Sequence, residues 1–321
     1  MRQIFAIGFA AAVLGAEPVR LIFDTDMGND IDDALALAMI HAFESRGEAK
    51  LLAVTVTKDN RYAGAYCDIV NHFYGRPQIP VGVVRKGVTP KDSNMIRIPV
   101  ERKRPSGGYV YARTFDHQKA PEAAELIRKT LEGQPDHSVT IVQVGFSTNL
   151  ACLLGEPGGR DLAARKVRQL VTMAGEFPAG KPEYNVREDL PSAMKVFHEW
   201  PTPIVTSGFE IGRVIKFPAV SIERDFGYVA DHPIAEAYRH YMKMPYDRET
   251  WDLTAVLYAV RPDRGYFGLS GPGRIRVDRQ GRTSLEADPA GTHRYLTVDE
   301  SQKVKTLEAL VQLASQPPQH R

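Results

Sequence analysis

Apolar and polar residues follow one another in blocks along this chain. Residues 19–24 form a short apolar run that ends in acid, as a strand buried on both faces does. Behind it, residues 31–43 (IDDALALAMIHAF) have helical character, with acids at the start where the helix dipole favours them. Residues 51–57 read as the next strand, and 61–74 as a helix stopped by Gly75. The alternation continues with strands at 81–84, 139–144, 167–173 and 203–206, and helices at 121–131, 148–154 and 191–200. Repeated strand–helix units with nearly continuous apolar strands predict an α/β fold. Its open sheet is mainly parallel (mixed), with helices on both faces.

Three stretches break the rhythm. Residues 85–116 are rich in Pro, Gly, Lys and Arg, and predict a solvated insertion or active-site flap. Residues 266–270 and 274–278 flank a Gly-Pro-Gly turn and predict a small C-terminal hairpin, followed by a closing helix at 298–314. At the other end, Arg2 precedes an uncharged apolar run at residues 4–14, and Gly15-Ala16 follows. Residues 1–16 therefore read as a secretory signal peptide, with a buried first strand or an uncleaved anchor as the alternatives. The expectation is an exported protein, periplasmic or extracellular, that has no membrane attachment once the signal is removed. No repeat and no linker divides residues 17–321, so a single domain is expected.

Composition narrows the class without naming a chemistry. With 43% apolar and 25% charged residues among 321, the chain is neither disordered nor fibrous. A formal charge of +2 excludes a nucleic-acid partner held by a strong positive field. Cys67 and Cys152 sit in apolar helical contexts and are expected to be buried free thiols; two isolated cysteines are no zinc framework. His41, His72 and His198 lie on helices without partners nearby in sequence, and read as structural or exposed.

The chemistry is concentrated at the end of the first strand. Asp24, Asp26, Asp30, Asp32 and Asp33 fall within the stretch Asp24-Thr-Asp-Met-Gly-Asn-Asp-Ile-Asp-Asp33. Carboxylates at that density repel unless a cation or arginines neutralise them. The donors are all oxygens, which suits a hard cation such as Ca2+ or Mg2+. An EF-hand fails on spacing, because the fifth and sixth positions from Asp24 are Gly28 and Asn29. A phosphatase with an aspartate nucleophile at Asp24 also opens with Asp-x-Asp, but wants a hydroxyl where Gly28 stands.

The stretch running from Asp24 through Asp33 into Ala-Leu-Ala-Leu resembles the signature of the inosine/uridine-preferring nucleoside hydrolase family, with two residues more than the usual Asp-x-Asp-x-Gly-x-Asp-Asp. Four later segments are similar to the family in the same order: Asp59-Asn60, Val144-Gly-Phe-Ser-Thr-Asn-Leu150, Pro182-Glu-Tyr-Asn185 and Trp251-Asp252. The resemblance implies a Ca2+ site formed by Asp26, Asp33, the Val144 carbonyl and Asp252, with Asp26 as the base for a metal-bound water. It implies ribose contacts from Asp32 (or Asp30 in its place), Asn60, Glu183 and Asn185. The implied reaction is hydrolysis of a ribonucleoside, a small-molecule substrate, to ribose and base. Relatives form dimers or tetramers, so a homo-oligomer is allowed. Many relatives place a His where Trp251 stands, so the leaving-group side differs here. Tyr238, His240 and Tyr241, in a helix-like stretch at 234–243, are candidates for the base pocket beside Trp251, and Arg248 is open. A non-catalytic nucleoside-binding protein on the same scaffold is the alternative from another class.

Overall fold

The computed structural model describes residues 17–319. The expected signal peptide lies outside the described residues. Strand β1 (Val19–Thr25) leads through the acid-rich loop into α1 (Asp32–Ser45), β2 (Ala49–Lys58), α2 (Arg61–Phe73) and β3 (Val81–Val88). Helices α3 (Asn94–Glu101) and α4 (Ala123–Glu132) precede β4 (Val139–Gln143), α5 (Thr148–Gly155), α6 (Gly159–Lys166) and β5 (Val167–Met173). Then come α7 (Tyr184–Glu188), α8 (Leu190–Glu199), β6 (Ile204–Ser207), α9 (Phe209–Arg213), β7 (Lys216–Phe217) and α10 (Ala219–Arg224). The chain continues with α11 (Pro233–Tyr241), β8 (Arg248–Glu249) and α12 (Trp251–Val260). It closes with β9 (Gly268–Leu269), β10 (Gly273–Val277), β11 (Thr283–Ala287), β12 (His293–Thr297) and α13 (Glu300–Ala314).

The main sheet has the order β11-β10-β12-β6-β5-β4-β1-β2-β3. From β12 to β3 every neighbouring pair is parallel, and β10 and β11 add an antiparallel edge. The chain runs from β1 outward to β3, then returns to the other side of β1 for β4, β5 and β6. Strand order therefore reverses between β1 and β4, and ligands of open α/β sheets bind outside the carboxyl ends at such a switch point.

Two helices serve the site and both are core elements. Helix α1 is buried from Asp32 to Phe43 and α12 from Asp252 to Val260, so neither has a solvent stripe. A helix apolar all round must be enclosed, and these two pack against each other. Their first turns are consequently held by the core rather than by loops.

Three expectations change. The 85–116 stretch is not a wholly solvated flap: β3 runs on to Val88, and α3 buries Met95, Ile96 and Val100 against α2 and α11. Its apolar residues recur at helical spacing, and that outweighs the basic composition. The hairpin is β10–β11, whereas β9 pairs with β12. Turn chemistry explains this, because Asp278 accepts from the Gln280 and Arg282 amides and Gly281 takes φ +80°. Cys67 is buried and free as expected, but Cys152 is exposed on the outer face of α5. Among the described residues no helix is long and apolar enough to cross a membrane.

Candidate active site

The carboxyl ends of β1, β4 and β5 and the first residue of α9 surround a cavity of about 360 Å³. Its walls are the acid-rich loop, Val144, Met173, the Glu183–Asn185 turn, Phe209, Tyr241, Arg248 and the first turn of α12. The β4 loop can lie against the end of β1 because Gly145 has no side chain. A Cβ there would run into Thr57 Oγ1 and the Asp26 backbone nitrogen.

On the acidic wall, Asp32, Asp33 and Asp252 each present a carboxylate oxygen within 4.8 Å of the others, and all three are buried. Asp26 lines the same cavity and accepts from Asn29 Nδ2 at 2.8 Å. Asp33 receives the Thr25 hydroxyl on Oδ1, while its buried Oδ2 has no partner. Burial first, and then neighbouring carboxylates, pushes Asp32, Asp33 and Asp252 well above the ordinary carboxylate range. Burial likewise holds Asp26 up at about 6. An unpartnered buried oxygen within an all-oxygen, mutually repelling set fits a hard divalent cation, which offsets both causes.

Asp24 has a different place. It is fully buried beneath the site, accepts from Thr55 Oγ1 at 2.6 Å and Asn149 Nδ2 at 2.8 Å, and does not line the cavity. It braces the loop and cannot serve as the nucleophile that a phosphatase would need. Asp30 also differs from Asp32. It lines the same cavity, but both its oxygens are engaged in a two-point ion pair with Arg248, Nε to Oδ1 at 2.9 Å and Nη2 to Oδ2, and it accepts the Tyr241 hydroxyl at 3.0 Å.

Opposite the acids, Glu183 caps α7 by accepting from the Asn185 and Val186 amides at 2.9 and 3.3 Å, and it also accepts from Gly175 at 3.0 Å. Burial pushes its carboxyl up to about 7 despite those three amides. Asn185 donates to the Val144 carbonyl at 2.7 Å and to Met173 O at 3.0 Å. That uses one lone pair of the Val144 oxygen and leaves the second for a cation.

The third wall is aromatic. Trp251 stacks on Phe209 with ring centroids 5.3 Å apart, and its indole N–H donates to Phe209 O at 2.9 Å. The Arg248 guanidinium lies 5.1 Å from the Tyr241 ring centroid and 5.2 Å from that of Trp251. Tyr184 closes the cavity near Phe146, with centroids 5.9 Å apart.

Three residues expected here belong elsewhere. Asn60 is the N-cap of α2: it accepts from the Tyr62 amide at 2.9 Å and donates to Pro90 O and Asp92 Oδ1, so its side chain is spent before it could reach the cavity. Tyr238 is fully buried against Tyr246, with its hydroxyl on Tyr246 O at 2.9 Å, because it faces the core side of α11. His240 is exposed, and Tyr241 alone of that trio lines the cavity. Asn29, Met173, Tyr184 and Phe209 line it unannounced. The signal that could have found two of them is position: Met173 is the last residue of β5, and Phe209 lies just beyond the carboxyl end of β6.

A family model described as inosine-uridine preferring nucleoside hydrolase matches residues 21–314. The chain belongs to that family. It is a hydrolase acting on N-glycosyl compounds, with small-molecule nucleosides as substrates. Enzymes of the nucleoside hydrolase family are metal-dependent, and the Asp32–Asp33–Asp252 group is an acid cluster suited to that need. Solved nucleoside hydrolases share the fold. A plant nucleoside hydrolase matches with TM-score 0.71 and 19% identity, over 94% of this chain and 100% of that one. A purine-preferring ribonucleoside hydrolase from Gardnerella vaginalis matches with TM-score 0.69 and 18% identity, over 92% of this chain and 99% of that one. The inosine-uridine preferring nucleoside hydrolase from Bacillus anthracis gives TM-score 0.68 and 18% identity, over 92% and 99%. No curated protein sequence is similar enough to match.

Proposed function

We propose that this chain is a Ca2+-dependent ribonucleoside hydrolase that adds water across the C1′–N bond and releases ribose and free base. The observation that carries the reading is the buried group Asp32, Asp33 and Asp252, which shares one cavity with Asp26, Glu183 and Asn185. Asp33, Asp252, Asp26 and the Val144 carbonyl would hold the cation, with Asp32 set close enough to share it or to take a ribose hydroxyl. When bound, the cation supplies a positive charge that acidifies a neighbouring water and orients ribose hydroxyls.

The chain's own groups do the rest. Asn29 engages Asp26 Oδ2, so the other Asp26 oxygen is the one placed to accept the water's proton as the water oxygen bonds to C1′. Asp32, Glu183 and Asn185 orient the ribose against that water. Positive charge develops on the sugar as the C1′–N bond breaks, and the surrounding carboxylates stabilise it. The base departs with the bonding electron pair and takes a proton from solvent, while Asp26 later returns the water's proton to solvent, so the net change is addition of one water. The Trp251 N–H is committed to Phe209 O and the Tyr241 hydroxyl to Asp30, so this wall holds the base by stacking rather than by donating that proton.

The test is release of reducing sugar from a panel of purine and pyrimidine ribonucleosides. Turnover is expected with Ca2+, loss with chelator, and recovery when Ca2+ is returned. No sugar from any nucleoside with Ca2+ present would sink the reading. Export is part of the same proposal, supported by Arg2 and the apolar run at residues 4–14. A secreted protein whose N-terminus still begins at Met1 would contradict it.

A further inference from the structure

Lys58 ends β2 and is 2% exposed, yet it forms no ion pair among the described residues. Its ammonium donates to Asn29 Oδ1 and to Thr89 O, both at 2.6 Å. Asn29 in turn donates through Nδ2 to Asp26 Oδ2 at 2.8 Å and to Thr89 Oγ1 at 3.1 Å. An ammonium can only donate and a carboxylate can only accept, so an amide between them has a single favourable orientation. Its oxygen must face Lys58 and its NH2 must face Asp26. Without Lys58 the Asp26 carboxylate still calls for the NH2 side, but the amide oxygen is unheld and the side chain is anchored from one end only. Thr89 adds an independent mark: it is β-branched and sits at φ +54°, a strained conformation that persists while its carbonyl and hydroxyl are both held.

We propose that Lys58 is a positioning residue for the hydrolysis: acting through Asn29, it fixes which oxygen of Asp26 faces the reacting water. This rests on the reading of Asp26 as the base. Lys58 does not line the cavity, so its effect is on the rate of the chemical step and not on substrate contact.

The experiment compares Lys58→Met, Asn29→Ala, the double variant and Asp26→Asn in the full-length protein, with kcat, KM, calorimetric Ca2+ affinity and thermal midpoint as readouts. Lys58→Met is expected to lower kcat roughly 10- to 100-fold with little change in KM or Ca2+ affinity, as a misplaced catalytic group does. Asn29→Ala should lose a similar factor while the ammonium stays in place, which keeps the idea testable if Lys58→Met folds poorly. The double variant should be no slower than Asn29→Ala alone, since both act through one contact. An unchanged kcat in Lys58→Met, or an equal further loss in the double variant, overturns the proposal. So does a parallel fall in Ca2+ affinity and thermal midpoint, which would assign Lys58 to structure alone. If Asp26→Asn is inactive while Lys58→Met is unaffected, only the positioning role falls. Turnover retained by Asp26→Asn removes the base assignment, and the positioning role with it.

Discussion

The backbone N–H of Asp252 donates to the Asp32 carboxylate at 3.0 Å, docking the first turn of α12 on the first turn of α1. Both helix N-termini therefore point at one acid cluster, and their dipoles favour negative charge there. The dipoles offset only part of the repulsion. The Asp33 Oδ2 atom remains buried and unpartnered, and a cation held there as proposed would offset the rest.

Calcium should stabilise the folded protein as well as activate it. A ligand that binds only the native state adds about 2.7 kcal/mol at a concentration of 100 times Kd. The thermal midpoint is expected to climb with the logarithm of Ca2+ concentration and to fall on chelation. A midpoint indifferent to both would argue that the acid cluster holds no cation.

Asp252→Ala and Asp33→Ala should each cut turnover by roughly 10²- to 10³-fold or more, as loss of a central electrostatic group does. In chelator, however, each variant should melt no lower than the parent, because a buried carboxylate held high by its neighbours has been removed. Elemental analysis for calcium, circular dichroism and steady-state rates together check this.

Trp251→Ala is expected to raise KM for purine nucleosides about fivefold with a smaller effect on kcat, since stacking contributes about 1 kcal/mol beyond burial. An equal fall in kcat with KM unchanged would instead place Trp251 in the chemical step.

Acid should weaken the fold through His232. Its Nδ1 accepts from the Ile234 amide at 3.2 Å and its Nε2 pairs with the Tyr228 hydroxyl at 2.7 Å, in a site where burial lowers its pKa from 6.5 to about 3. The unfolded chain takes up this proton as pH drops below 6.5, while the folded chain stays neutral down to about 3. Stability that is fully present above the unfolded value is thus lost progressively on acidification, by about 2 kcal/mol at pH 5. Urea midpoints between pH 7 and pH 5 should fall more steeply in the parent than in His232→Asn, whose side chain can still cap α11. Equal slopes would refute the assignment.

Much of the fold was legible because it is written locally. The strand expected at residues 167–173 is β5 itself, and α1, α2, α5 and α13 start or end within two residues of expectation. Misreadings arose where partners are remote. The segment containing α3 looks basic and solvated until its apolar residues meet α2 and α11. Asn60 followed the family pattern, but a cap and the Pro90 carbonyl claim its side chain first.

By itself the sequence determined the class of fold, the place of the acids at the first strand end, and the family to which the chain belongs. Those properties lie in periodicity, in one acid-rich stretch and in four short segments that follow it in order, and need no knowledge of what packs where. Only the tertiary structure separated the five acids into roles. It sank Asp24 beneath the site, paired Asp30 with Arg248, and brought Asp32 and Asp33 to Asp252. The reason is that two enclosed helices, far apart in the chain, must pack against each other to bury their apolar surface. Where their first turns meet is decided by that packing and not by the spacing of the acids.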